Sequence, residues 1–169
     1  VYNQIEYKKS LNDWTKQEFT FTAAENTKQA YIGIVKWAES DPDGKVAKTE
    51  ISIDNVTVIE EDENTIIWED NFSEDILDQN KWGYELGSIR GNEQQHYIDS
   101  KDNVFLEDGN LVLKVTDRDI EDQYVNPRNH SVKRQIIYNS GSVRTHGKQE
   151  FLYGRIEMRA KLPKGKGAF

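Results

Sequence analysis

The clearest pattern in the chain is the alternation of apolar and polar positions over residues 153–160. Tyr153, Arg155, Glu157 and Arg159 alternate with Gly154, Ile156, Met158 and Ala160, the period of two expected of a strand that turns one face to a core. Pro163 ends that strand, because proline brings no amide hydrogen to a sheet ladder. Shorter runs rich in β-branched and aromatic residues predict strands at 19–22, 30–35, 50–59, 65–68, 104–106, 110–116, 136–138 and 142–145, with the long one at 151–162. Turn residues stand between them. In Asp41-Pro42-Asp43-Gly44, proline presets one dihedral and glycine accepts a positive φ. Helical periodicity is nearly absent, so the expected fold is all-β, a β-sandwich or jelly roll. The strand at 151–162 has no evident partner, and an open edge there would invite pairing with another chain.

The run from Glu60 to Asn64 is the clear acidic linker, and it sets the expected division into 1–61 and 62–169. Sixty residues fall short of the roughly 100 that a sandwich domain usually takes. Both stretches are therefore expected to be partial domains. The chain begins at Val1 without an initiator methionine, so both termini are expected to lie inside a longer protein. With 36% hydrophobic and 31% charged residues the composition is that of a folded chain with a polar surface. A net charge of −8 argues against nucleic acid or an anionic membrane as partner, whereas an uncharged polysaccharide is indifferent to it. There is no cysteine, hence no disulfide and no thiolate metal site. His96, His130 and His146 are too scattered to suggest zinc.

Five blocks in order resemble the family-16 glycoside hydrolases, and within them the laminarinase-like endo-β-1,3-glucanases. They are W-E-D-N-F at 68–72, L-D-Q-N-K-W at 77–82, R-G-N-E-Q-Q-H-Y at 90–97 running into N-V at 103–104 and D-G-N-L-V-L at 108–113, Y-N-S-G-S-V-R-T-H-G-K at 138–148, and Y-G-R-I-E-M-R-A-K-L-P-K-G-K-G at 153–167. The resemblance implies a jelly-roll domain from residue 62 onward, a β-glucan as partner, retaining hydrolysis of internal β-1,3 bonds and an extracellular or cell-surface location. It also implies a Glu-x-Asp-x-x-Glu strand soon after the K-G-x-G segment. No such pattern occurs in residues 1–169. Retaining hydrolysis needs two carboxyl groups about 5–5.5 Å apart, so catalytic residues are expected outside this chain and the chain alone is expected to be inactive. Related enzymes often carry a structural calcium near the W-x-D-x-F segment. Here Asn71 stands where an acidic residue is common, and no cofactor is expected of the chain. A weaker resemblance, in L-N-D-W-T-K-Q-E-F-T-F at 11–21 and I-D-N-V-T-V at 53–58, is to the end of a sandwich carbohydrate-binding module.

For sugar contact the candidates are Asn92, Gln95 and His96, whose amides and imidazole lie in what reads as a loop. The alternative is a loop pinned by its own amides. Arg155 offers a planar donor fork suited to hydroxyls, or equally to a cross-strand ion pair. Trp37, followed by a turn, could be a ring platform or simple packing. Trp14, Trp68 and Trp82 are expected in the core. A non-catalytic carbohydrate-binding or adhesion protein on the same scaffold is the competing expectation.

Overall fold

The computed structural model describes residues 14–22, 31–35, 50–60, 65–89, 93–125 and 133–162. Among them are twelve strands: β1 (Thr15–Thr22), β2 (Gly33–Val35), β3 (Glu50–Glu60), β4 (Thr65–Asp70), β5 (Gly83–Tyr84), β6 (Gln95–Tyr97), β7 (Val104–Glu107), β8 (Asn110–Lys114), β9 (Thr116–Val125), β10 (Lys133–Ser140), β11 (Ser142–Arg144) and β12 (Tyr153–Lys161). No helix occurs among the described residues, so none there is long and apolar enough to cross a membrane. The all-β expectation holds. Of the expected acidic linker Glu60–Asn64, Glu60 is the last residue of β3, and residues 61–64, like the turn at 41–44, lie outside the described residues.

The largest sheet runs β1-β12-β3-β8-β7, with β4 also paired to β3. The edge expected to be open on β12 is closed on both sides, antiparallel to β1 from Thr15↔Ala160 to Thr22↔Tyr153 and antiparallel to β3 from Arg155↔Ile59 to Lys161↔Ser52. Strands from either side of residue 61 therefore share one sheet. Two smaller sheets, β6-β10-β9 and β2-β11-β5, are the others among the described residues.

One residue keeps the core face of β3 in phase. Ile51 and Ile53 are buried at odd positions, but Val56 and Val58 are buried at even ones. The shift falls at Asn55, which has φ 52° and is skipped in the register between Arg159↔Asp54 and Met158↔Val56. Such a bulge adds one residue to one strand and exchanges its two faces, and asparagine tolerates the left-handed backbone it needs. Ile53 and Val56 thus join Ile156 and Ala160 of β12, Leu111 and Leu113 of β8, and Ile34 and Val143 of the β2-β11-β5 sheet in one core. Two close approaches need glycine. A Cβ on Gly141 would lie 2.5 Å from the Asn103 carbonyl oxygen, and one on Gly154, where φ is 139°, would lie 2.8 Å from that of Ile59.

At one end of the core a buried carboxylate organises the aromatic residues. Asp70 accepts the Trp82 indole N–H at 2.7 Å and the Phe72 amide at 3.1 Å, and Lys81 Nζ approaches it at 3.5 Å. Trp82 is fully buried and stands edge-on to Trp68, with ring centroids 5.3 Å apart; Trp68 in turn meets Phe151. Phe72 has φ 53°, strained for a bulky residue. Its buried ring and its amide bond to Asp70 hold it there. Trp68 and Trp82 therefore lie in or against the core as expected. Trp14 is only half-buried, and the Arg159 guanidinium sits 4.8 Å over its ring.

Replacing Asp70 by alanine would leave the Trp82 donor buried and unpaired, at a cost of about 3 kcal/mol. Denaturant unfolding of Asp70→Ala followed by tryptophan fluorescence should show that loss, and Asp70→Asn, which keeps one acceptor, a smaller one. A change below about 0.5 kcal/mol in Asp70→Ala, the range of ordinary surface substitutions, would remove the carboxylate from this role.

Candidate functional site

The block at 90–97, read from sequence as a loop, carries a strand. Gln95, His96 and Tyr97 form β6, parallel to β10 through Gln95↔Tyr138, His96↔Asn139 and Tyr97↔Ser140. On the far side of β6, Gly87 and Tyr97 exchange backbone hydrogen bonds at 2.9 and 3.1 Å. Strand geometry then sorts the side chains. Gln95 and Tyr97 point inward with no exposed surface, and His96 points the other way and is half-buried.

The inward side chains form a relay. Gln95 Nε2 donates to the Tyr97 hydroxyl at 2.8 Å, and that hydroxyl donates to Glu93 Oε2 at 3.1 Å. A buried amide and phenol are thus satisfied by each other, and the relay ends on the half-buried Glu93 carboxylate. On the opposite face, His96 Nδ1 is 3.0 Å from Ser88 Oγ. Its register neighbour Asn139 accepts from Arg118 at 2.8 Å and is itself opposite Thr116 on β9. Asn103 extends the row, donating to Thr116 Oγ1 at 3.0 Å and to the Lys114 carbonyl at 2.9 Å. On β5, burial and then the negative charge of Asp99 push the Tyr84 phenol up.

Arg155 lies on a different sheet from His96. It belongs to a ladder of charges across β1 and β12, with Nε 3.1 Å from Glu157 and 3.9 Å from Glu18. The Glu157 contact is one of charge, without the alignment of a hydrogen bond. Lys16 closes the ladder on Glu157 at 2.6 Å and Glu18 at 3.0 Å. Asn92 and Trp37 lie outside the described residues. Of the sequence candidates, Gln95 and His96 are therefore brought together on one strand, Gln95 with its amide committed inward, and Arg155 stands apart in the ladder. Sequence reasoning passed over Ser88, Glu93, Tyr97, Arg118 and Asn139. Three of the residues involved, Glu93, Gln95 and Tyr97, are spaced by two, and that spacing is the strand signal a loop reading hid. Among the described residues no group of three or more His, Cys, Asp or Glu side chains is arranged to hold a metal ion.

A mixed β-sheet that displays amide, hydroxyl, imidazole and carboxylate groups across neighbouring strands is suited to a polyhydroxylated ligand. Comparison with known proteins narrows the class. The chain is 36% identical to glucan endo-1,3-beta-glucosidase A1 of Niallia circulans over 62% of its length and 16% of that protein. It is 37% identical to a glucan endo-1,3-beta-glucosidase of Cryptopygus antarcticus over 59% of the chain and 34% of that protein. It is also 26% identical to Gram-negative bacteria-binding protein 2 of Drosophila melanogaster, over 95% of the chain and 38% of that protein. The chain thus spans between 16% and 38% of the length of these relatives. No family model matches it. The similarities relate the chain to the laminarinase-like glycoside hydrolases.

Tyr97→Phe removes the centre of the relay and leaves the buried Gln95 amide without that acceptor. It should cost about 1–2 kcal/mol in denaturant unfolding, and a wild-type midpoint would show that the relay contributes nothing.

The charge ladder predicts a pH window for β1. The Glu18 carboxyl is held below its usual range, chiefly by Lys16, so its contribution is complete above the ordinary value of about 4.3 and is lost as pH falls through the lowered one. Lys16 is held above its usual range by Glu157 and then Glu18. Its contribution is complete below about 10.4 and is lost as pH rises through the raised value. Hydrogen-exchange protection factors of the β1 amides should therefore be flat between those limits, fall outside them, and fall with added salt because the side chains are exposed. Protection that ignores both pH and salt would assign the clasp to backbone pairing alone.

Proposed function

We propose that this chain is the glucan-contacting part of a retaining endo-β-1,3-glucanase, with the carboxylate pair that cleaves the bond lying outside residues 1–169. The relationship to two glucan endo-1,3-beta-glucosidases carries the reading. The geometry is consistent with it. Ser88 and the half-buried His96 on one face of β6, and on the other the half-buried Glu93 carboxylate that the buried Gln95–Tyr97 pair holds, offer polar groups to neutral hydroxyls. In this reading Gln95 positions Glu93 through Tyr97, His96 and Asn92 contact sugar, and Arg155 and Trp37 are further contacts. Residues 1–61 are in this reading the end of a carbohydrate-binding module and 62–169 begin the hydrolase jelly roll, with β1 and β3 of the first stretch completing the sheet around β12 of the second. The protein in this reading acts outside the cell or on the cell surface, where such polysaccharides are met.

One observation favours a second reading, a binding protein without hydrolysis: the similarity to Gram-negative bacteria-binding protein 2 extends over 95% of the chain. Co-sedimentation with insoluble β-1,3-glucan and assay of reducing-sugar release from laminarin test both readings. Retention on the glucan without sugar release is expected of the chain, and the parent protein should release sugar. Release by the chain alone would overturn the assignment of catalysis to residues outside it. A parent that binds but releases nothing would make the binding-protein reading correct, and failure to bind would remove both.

A further inference from the structure

We infer that the outward face of the β2-β11-β5 sheet is a second contact surface for a neutral saccharide, built jointly by the segments before and after residue 61. The inference rests on the glucan reading above and adds to it a place outside β6. In β11 the buried Val143 faces the core together with Ile34, so Ser142 and Arg144 turn to the opposite side. There the Glu85 carboxylate is held at both oxygens, Oε2 accepting from Ser142 Oγ at 2.7 Å and Oε1 lying 3.5 Å from the Arg144 guanidinium. The Arg144 side chain keeps 34% of its surface exposed and that of Glu85 16%. Opposite charges at this distance offer an adjacent donor fork and acceptor with no net charge, which suits vicinal hydroxyls better than an ion.

Beside this pair stands a ring. Thr145 and Ile32 are joined by two hydrogen bonds, a backbone one from the Thr145 amide to the Ile32 carbonyl and one from the Ile32 amide to the Thr145 side-chain Oγ1, both at 2.9 Å. That pairing carries Tyr31 and His146 onto the outward face, where their rings meet edge to face at 4.8 Å. Tyr31 remains 45% exposed although it is fixed against His146. A held but open aromatic ring is the platform on which the apolar face of a pyranose stacks. His146 opens the turn that follows β11, two residues after Arg144.

The rows flanking Arg144 are open. Its register partners are Gly33 on β2 and Gly83 on β5. A Cβ at residue 33 would have nothing within 4 Å, and at residue 83 only the Arg144 carbonyl and the Lys148 stem come that close. A ligand can therefore lie across the sheet at the level of the guanidinium.

The test is calorimetric titration of the full chain with laminarihexaose, using Tyr31→Ala, which removes the platform, and Gly33→Val, which fills the open row with a strand-favouring side chain. His96→Ala serves as the comparison at β6, and thermal unfolding of each variant establishes that it folds. Both Tyr31→Ala and Gly33→Val should bind about five- to ten-fold more weakly than wild type, with unfolding midpoints close to it. If wild type binds and Tyr31→Ala binds equally well, the surface is overturned, while weakening in His96→Ala would leave the glucan reading standing. If wild type does not bind laminarihexaose, the glucan reading falls and this surface falls with it.

Discussion

The hydrogen bonds accepted by Asp70 are the constraint on which the rest of the structure leans. A carboxylate almost removed from solvent is unfavourable unless its oxygens are occupied. Here one oxygen takes the Trp82 indole, and the other takes the Phe72 amide with Lys81 beside it. The consequence reaches in two directions. Through Trp82 the carboxylate fixes the stack of Trp68, Phe72 and Phe151 against the β3–β12 core. Through the chain after Trp82 it sets where β5 begins, and with it Tyr84 and Glu85. Glu85 returns to β11 through its amide and its side chain. The polar residues at one end of the molecule are thus referenced to a buried bond at the other end of the same short segment.

The six-stranded sheet shows how two stretches that read as separate partial domains come to share a core. β12 needed partners on both edges, and the strands that meet the need are β1 and β3, both from residues before 61. Unpaired backbone groups at a sheet centre cost more than any surface charge contributes. The backbone ladder therefore dominates, and the ions of Lys16, Glu18, Arg155 and Glu157 dress its outer face. Those ions set the conditions under which β1 stays in place, and the core is indifferent to them.

Most of the strand layout was legible because burial and pleat leave a period of two in the sequence. β12 is the example, its buried Gly154, Ile156 and Ala160 all at even positions, whereas β8, which buries Leu111, Val112 and Leu113 in a row, was legible as an apolar run. The bulge at Asn55 was hidden. The segment I-S-I-D-N-V-T-V-I reads as one strand, and the loss of phase shows only when Ile53 and Val56 are asked to face the same way. β9 was missed outright, because Thr116–Val125 is dominated by charged and polar residues and takes its strand conformation from pairing with β10. This is the usual override of local preference by tertiary pairing. For the candidate site, residue type was readable and neighbourhood was not. Gln95 and His96 were picked out as sugar-contacting types, but their opposite facings follow from β6 being a strand. Arg155 matched the chemistry equally well and stands in an ion ladder on another sheet.

Charge explains why the polar groups near β6 and β11 are arranged as they are. The chain carries a net −8, yet Arg144 stands against Glu85 across strands, and Glu93 receives a phenol hydrogen bond. Pairing and hydrogen bonding keep the local field small around Arg144 and Glu93, while excess negative charge is spread over exposed positions such as Glu74, Asp75, Asp119 and Glu107. A surface intended for an anion would present Arg144 without the counter-charge of Glu85. Glu85 offsets the Arg144 charge and orients its guanidinium as a donor, whereas the neutral Asn139 carbonyl orients Arg118 only. Specificity on such a surface comes from the spacing of donors and rings along strands 3.3 Å per residue, and that spacing is set by the same pleat that builds the core.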